Sequence, residues 1–503
     1  MFARRCSVSR SLALLSALLI SSTAFSAEWY AVSSDNFTLY SDGPEDQTKG
    51  LVQKFEIFRD TALALLGLPD TPEKQPLLIV VYNNPRDFSR ISPKNSAGFY
   101  YDSIFGPRML MRGIGLDIAD QGTLFHEYVH YLLNQRSQFN YPRWYDEGLA
   151  TVLMTTEITD TVFVGNPPVY AAMSIKYGSL PTVHNIITGG VDNRQGFYQA
   201  AWLLSHYVSL GNKTRREQTT DYLRRYDAGE EPVAEFEASY GMTTRQMDAE
   251  LAAYAAGKTF AALKAPTKPY SGRLWTRALG RAEALLLLAD IAVENDEYKA
   301  AHYYFDQASD IGADSPFRAR LIARRSIAYI HDLKVGKGDE LMGPLLAEGS
   351  EDPQVIGDIA HYACDKFVEI RLGEWNGDEK AELERAIEYG VRAVEADPGN
   401  LEAHYYLGLC YEAAGQLQNA TDALLRGYEL SPSPRLNLEL ARVLIKGGQH
   451  ELASYLLSRM VSASHDEDWR SSVREIVTDL EDGNLSKEYA LLTPPWVALP
   501  GDE

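Results

Sequence analysis

Cysteine is nearly absent from this chain: three of 503 residues. Cys6 lies in an N-terminal segment expected to be removed, which leaves Cys364 and Cys410. Two cysteines make no disulfide framework, and no Cys-x-x-Cys pair is present to hold a metal or act as a redox dithiol. Cys364 and Cys410 read as two buried thiols on helices, with a single bridge in an oxidising compartment as the alternative. No Gly-rich phosphate loop and no Ser nucleophile elbow is present, which sets aside nucleotide chemistry and serine hydrolysis. Basic charge is also short. Lys and Arg number 48 against 69 Asp and Glu, a formal charge of −21. Such a surface repels phosphate backbones, so nucleic acid is not an expected partner.

Long apolar runs are missing beyond the first residues. There, Arg4, Arg5 and Arg10 precede an apolar run from Leu12 to Ile20, and small residues follow through Ser26 and Ala27. Basic, apolar and small in that order describe a secretory signal peptide over residues 1–27, an uncleaved anchor being the other reading. Its removal takes three arginines and no acid, which makes the mature charge −24. The mature protein is expected to have no stable membrane span and to be exported, to the periplasm or beyond the cell.

The rest is ordinary in composition, with 45% apolar and 23% charged residues, and is long enough for two or three domains. Residues 28–262 mix periods. Trp29–Val32 and Asn36–Tyr40 suit strands, and Leu51, Phe55, Phe58, Leu63 and Leu66 form one helical stripe that Gly67 and Pro69 end. Leu77–Tyr82 is a continuous β-branched run typical of a buried strand. Gly98–Tyr101 and Met109–Met111, separated by Phe105-Gly106-Pro107, suggest a hairpin. Strands leading into helices predict an α+β domain. Two prolines among small and basic residues at 264–269 mark 263–275 as a linker.

Beyond the linker, residues 276–485 repeat, and 486–503 form a tail. A 34-residue unit starting at Leu401 places Leu407, Gly408 and Tyr411 on a first helix, Ala420 and Leu424 on a second, and Pro432 at its close. Similar positions recur at Ala386, Ala393 and Pro398, at Leu440, Ala441, Gly448, Ala453 and Leu457, and at Leu285, Leu288, Ala289, Tyr298, Ala301, Phe305 and Ala308. Residues 316–366 are helical but match poorly. The pattern resembles the tetratricopeptide repeat, which implies an all-α solenoid able to bind a protein partner, or else a spacer.

The segment that carries chemistry is His126-Glu127-Tyr128-Val129-His130. Residues four apart share a helix face, so both imidazoles can reach one ion, and Glu127 can take a proton from water bound to it. Seventeen residues beyond His130, Trp144-Tyr145-Asp146-Glu147-Gly148-Leu149-Ala150 opens a second helix and offers Glu147 as third ligand. Gly148 and Ala150 are small, which would let this helix approach the first. Asp146 either orients a ligating imidazole or supplies a charge at the helix start.

His-Glu-x-x-His followed by Trp-x-x-Glu-Gly-x-Ala resembles the gluzincin metallopeptidases, and residues 29–254 most resemble the exported proteins called peptidase-MA-like. The resemblance implies a zincin-like α+β metallopeptidase domain with Zn2+ on His126, His130 and Glu147 and with Glu127 as general base. Gluzincins often stabilise the oxyanion with a Tyr or His from a later helix; Tyr198 and His206 are the candidates, packed core being the plainer reading of each. The loop between the two helices is shorter than in thermolysin, and no Gly-x-Met-Glu-Asn segment is present to hold a substrate amino terminus. The expected activity is therefore zinc-dependent endopeptidase cleavage of a peptide or protein, with a catalytically idle zinc-binding scaffold as the alternative.

Overall fold

The computed structural model describes residues 28–71, 77–93, 96–103, 106–113, 118–136, 140–169, 171–191, 194–228, 231–257, 259–373, 375–460 and 467–483. The expected signal peptide and tail lie outside these residues.

The chain opens with β1 (Trp29–Ser33), β2 (Phe37–Ser41), α1 (Glu45–Leu66), β3 (Leu77–Tyr82), α2 (Pro85–Phe88), β4 (Gly98–Ser103) and β5 (Gly106–Arg112). Helix α1 stops where Gly67 takes the left-handed conformation at φ 66° and Leu68 N–H returns to the Leu63 carbonyl at 3.0 Å. Strands β4 and β5 pair antiparallel, as the hairpin pattern predicts, while β3 runs parallel to both β2 and β5.

Then come α3 (Ile118–Arg136), α4 (Arg143–Leu153), β6 (Glu157–Ile158), β7 (Thr161–Val164), α5 (Ala172–Tyr177), α6 (Val183–Ile187), α7 (Arg194–His206), α8 (Lys213–Asp227), α9 (Pro232–Tyr240) and α10 (Thr244–Ala255). Strands β8 (Leu263–Pro266) and β9 (Trp275–Leu279) follow. They correct the expectation of a linker at 263–275. Strand β8 pairs with β7, and β9 pairs with β1 at the edge of the six-stranded sheet β4-β5-β3-β2-β1-β9. The prolines mark a crossing between two sheets, not a free tether.

Both faces of the larger sheet are covered, which explains the unbroken apolar run of β3. Leu77, Ile79 and Val81 face the core shared with α1, α3 and α4, whereas Val80 and Tyr82 face α11 (Arg281–Glu294) and α12 (Tyr298–Gln307). Side chains alternate across a strand, so a strand between two layers must be apolar at every position. The first helix pair of the C-terminal half is thus part of the sheet's second core.

That half continues as α13 (Arg318–His331), α14 (Val335–Glu348), α15 (Pro353–Leu372), α16 (Glu379–Ala396), α17 (Leu401–Ala413), α18 (Leu417–Leu430), α19 (Pro434–Lys446), α20 (His450–Ser458) and α21 (Glu467–Asp482). Successive helices pack together, with α15 seated chiefly on α13 and α16, which makes an all-α solenoid of tetratricopeptide type. Gly408 shows why small residues mark the repeat: a Cβ there would stand 2.5 Å from Leu424 Cγ on the partner helix. The solenoid touches the N-terminal half at both ends. Tyr101 donates to Glu294 at 3.0 Å; at the far end Asn140 donates to the Ser458 carbonyl at 3.0 Å and Arg474 to the Tyr226 hydroxyl at 3.2 Å. No helix among the described residues is long and apolar enough to cross a membrane.

Candidate metal centre

Helix α3 is fixed by its aromatic side. Phe125 stacks on Phe58 with ring centroids 3.8 Å apart, and Tyr128 meets Phe37 and Phe55 edge-on. With Leu124, Val129 and Leu132 also buried, His126 and His130 are turned toward α4. Helix α4 is held in turn by α7. A Cβ on Gly148 would lie 2.4 Å from the Ala201 carbonyl oxygen and 2.2 Å from Ser205 Oγ, so only glycine fits. The close approach that Gly148 permits is therefore to α7, not to α3 as expected.

Three ligating atoms converge. His126 Nε2 and His130 Nε2 are 3.2 Å apart, and Glu147 Oε2 stands 3.3 Å from the first and 3.5 Å from the second. An ion bound tetrahedrally at about 2.0–2.1 Å from each ligand needs ligand–ligand edges of about 3.3 Å. The triangle fits such an ion. Glu147 Oε2 supports the fit: it is buried and has no hydrogen-bond partner among the described residues, a costly position for an anionic oxygen unless a cation faces it.

The electrostatics agree. Burial pushes the Glu147 carboxyl up, but the His126 and His130 side chains beside it outweigh that and hold the group well below the usual range. Burial pushes His130 down, and the Asp146 and Glu147 carboxylates lift it well above an ordinary imidazole. The pocket favours positive charge at this point. Glu127, one residue past the first ligand, is raised by burial, an effect opposed by the two histidines and by the Tyr100 backbone N–H that it accepts.

Of the supporting residues, Asp146 accepts from His130 Nδ1 at 2.8 Å, which leaves Nε2 for an ion. Tyr198 reaches in from α7 and donates to Glu147 Oε1 at 3.0 Å. His206 does not join them, and its candidacy is corrected. Its ring is fully buried, with Nε2 on the Gly165 carbonyl at 3.1 Å and Nδ1 on the Tyr254 hydroxyl at 3.0 Å, packed against Trp202 and Phe260. Burial brings its pKa to about 4, so it is a neutral core histidine.

A cavity of about 1420 Å³ joins this site to the solenoid. Tyr100, Glu127 and His130 line one side; Arg324, His361 and Tyr406, on the inner helices α13, α15 and α17, line the other. That wall has no direct sign in the sequence. Its one trace is polar residues in a region where the repeat pattern asks for apolar ones. There, His331, His361 and Asp365 also bring ligand-type atoms within 4.8 Å of one another.

The fold therefore joins an α+β unit carrying a His-His-Glu cluster to a helical-repeat solenoid. Among solved structures the chain is similar to a TPR protein of Thermus thermophilus, at 19% identity over 39% of this chain and 99% of that one, with a TM-score of 0.33. It is also similar to pilF of Pseudomonas aeruginosa, at 16% identity over 42% of this chain and 87% of that one, TM-score 0.31. A third is YrrB, described as a TPR protein with an unusual peptide-binding site, at 16% identity over 39% and 92%, TM-score 0.26. No family model and no curated protein matches the chain.

Proposed function

We propose that this protein is an exported zinc-dependent metallopeptidase, an endopeptidase of the cell envelope whose repeats bind its protein substrate or partner. The observation that carries the reading is the triangle of His126, His130 and Glu147 with Glu127 beside it. Two imidazole nitrogens and one carboxylate oxygen form the donor set of a catalytic zinc site that keeps a coordination position open. Zinc bound there would polarise a scissile carbonyl and lower the pKa of its water toward about 7.

The chain's own residues supply the rest. Glu127 faces the cavity, where its carboxylate can take a proton from the attacking water and return it to the leaving amine. Asp146 holds the His130 tautomer, and Tyr198 fixes the Glu147 carboxylate. The cavity extends from Glu127 to the inner solenoid helices, which suits a polypeptide reaching the site along the repeats.

The test uses the full chain without its leader. It should bind one zinc at His126, His130 and Glu147 and cleave members of a diverse peptide library, and Glu127→Gln should keep the zinc and lose the cleavage. Zinc without cleavage by the wild type favours an idle scaffold. A folded chain that takes up no zinc there overturns the metal site itself.

A further inference from the structure

The two cysteines left after export stand together. Cys364 is on α15 and Cys410 on α17, the inner helices of neighbouring pairs, 46 positions apart in sequence, yet the Cys410 thiol donates to Cys364 Sγ at 2.9 Å. Each is 1% exposed, in the core that includes Ala363, Ala386, Tyr405 and Leu424.

Their setting excludes the usual roles of a thiol pair. No metal-type grouping among the described residues includes either cysteine, so they are not half of a zinc site. The pair is not a Cys-x-x-Cys dithiol, and the hydrogen bond to Cys410, together with burial, raises the Cys364 thiol well above its usual pKa, the reverse of a reactive cysteine. What remains is a cross-link. A disulfide needs its sulfurs at about 2.05 Å, which asks these two to close by less than about 1 Å.

We propose that Cys364 and Cys410 form a structural disulfide between α15 and α17 in the mature protein. The inference rests on export but is independent of the metallopeptidase reading. Each thiol gives up one hydrogen as the S–S bond forms. The two electrons and two protons pass to an external disulfide, either oxidised glutathione or the active-site disulfide of a thiol oxidoreductase, which leaves as two thiols. In a solenoid each unit is held only by its neighbours, so a cross-link between units counts most where their interface carries buried charge. This one does. His361 on α15 pairs closely with Glu402 on α17, both buried; Cys364 Sγ lies 3.6 Å from the Tyr406 carbonyl, and Tyr406 stacks on His361 at 4.0 Å, in the wall that faces the candidate metal centre. The bridge would lock that wall.

Two measurements test it. First, the full chain is expressed with its leader in a Gram-negative host, recovered from the periplasm without reductant, and alkylated with iodoacetamide under denaturing conditions. The expected product carries no label and is two hydrogens lighter than the reduced form; reduction restores two labelled sites and lowers the thermal midpoint by several degrees. Second, the leaderless chain made in a reducing cytosol is equilibrated, folded, with oxidised glutathione. It should close the same intramolecular bridge, while Cys364→Ser and Cys410→Ser each keep one alkylatable thiol. Two labelled thiols in the periplasmic protein, or mixed disulfides with glutathione in place of the bridge, overturn the proposal.

Discussion

Two clusters of histidines and carboxylates face the same cavity, and they solve the problem of buried charge in different ways. In the N-terminal half, His126, His130 and Glu147 are arranged around a point, and the ion pairs of Glu147 among the described residues are with those two histidines alone. In the solenoid, His361 pairs with Asp365 at 2.8 Å and closely with Glu402; Glu402 takes a bidentate Arg324 at 2.9 and 2.7 Å, and Arg324 also pairs with Asp358 at 2.9 Å. There the cation is built into the chain. The same residue types make a candidate metal site where no cation of the chain is built in, and a cross-braced wall where an arginine supplies the positive charge.

The largest effect should come from removing that arginine. Arg324→Met leaves Glu402 buried without its arginine and Asp358 with Arg320 alone, and breaking such a network costs about 3–5 kcal/mol. Urea unfolding of the metal-free protein should show the loss, and chelation of the wild type should not mimic it. If a chelator destabilised α13–α17 as much as the substitution does, the contrast between the clusters would fail.

Acidity offers a second way to break the comparison. His361 is pushed down by burial but lifted by Asp365 and Glu402 to about 9, so the folded chain holds a proton that an unfolded one loses near pH 6.5. Its contribution is complete below about 6.5 and is lost as the pH rises through about 9, a change of at most about 3 kcal/mol. Its carboxylate partners behave in the opposite sense. Burial pushes Glu402 up, but Arg324 and His361 hold it down to about 2, so its contribution fades only in acid, below the ordinary carboxylate range. His206 is opposite in sign to His361. With a folded value of about 4, it favours the native state more as the pH rises from about 4 to about 6.5. Urea midpoints should therefore fall as the pH rises from about 6.5 through about 9, while below 6.5 the gain from His206 is opposed by Asp290, which burial raises to about 6. His361→Gln should flatten the alkaline side and, because His361 also helps hold Glu402 down, make the loss of stability in acid shallower.

What the sequence makes legible follows the same division. His126, His130 and Glu147 can be read because a fixed helical spacing is enough to bring two imidazoles to one side, and Asp146 adjoins the carboxylate that meets them. His206 misleads because the periodicity that places Tyr198 on an inward stripe of α7 also carries the stripe two turns further, under Gly165 and Tyr254, away from the site. Residues 316–366 match the repeat poorly for a physical reason: α13 and α15 bury Arg324, Asp358 and His361 in the places of apolar residues, and α14 contains Pro344. Strand β9 is invisible because Trp275–Ala278 is exposed and lacks alternation; only pairing with β1 makes it a strand. Long-range pairing and charge networks leave little local trace.

Smaller effects should test how the candidate metal centre is supported. Asp146→Asn keeps the shape but weakens the hold on His130 Nδ1, and losses at such supporting carboxylates run to about 10–100-fold in metal affinity. Competition for zinc with a chromophoric chelator measures this directly. An unchanged affinity would return Asp146 to the role of a helix-start charge.

Tyr198 should give the smallest change in binding and the most informative one. Its hydroxyl donates to Glu147 Oε1, the oxygen turned away from the triangle, so it restrains the carboxylate without occupying a ligand position. A residue acting only in this way is worth about one hydrogen bond that water can replace, roughly 0.5–1.5 kcal/mol. Tyr198→Phe should then weaken zinc by about tenfold or less, and at saturating zinc the cleavage rate should return to that of the wild type. A residue that stabilises the oxyanion predicts the reverse: zinc affinity unchanged and kcat reduced by about 100-fold or more with zinc bound. Zinc titration of kcat separates the two, because only a positioning residue can be rescued by more metal.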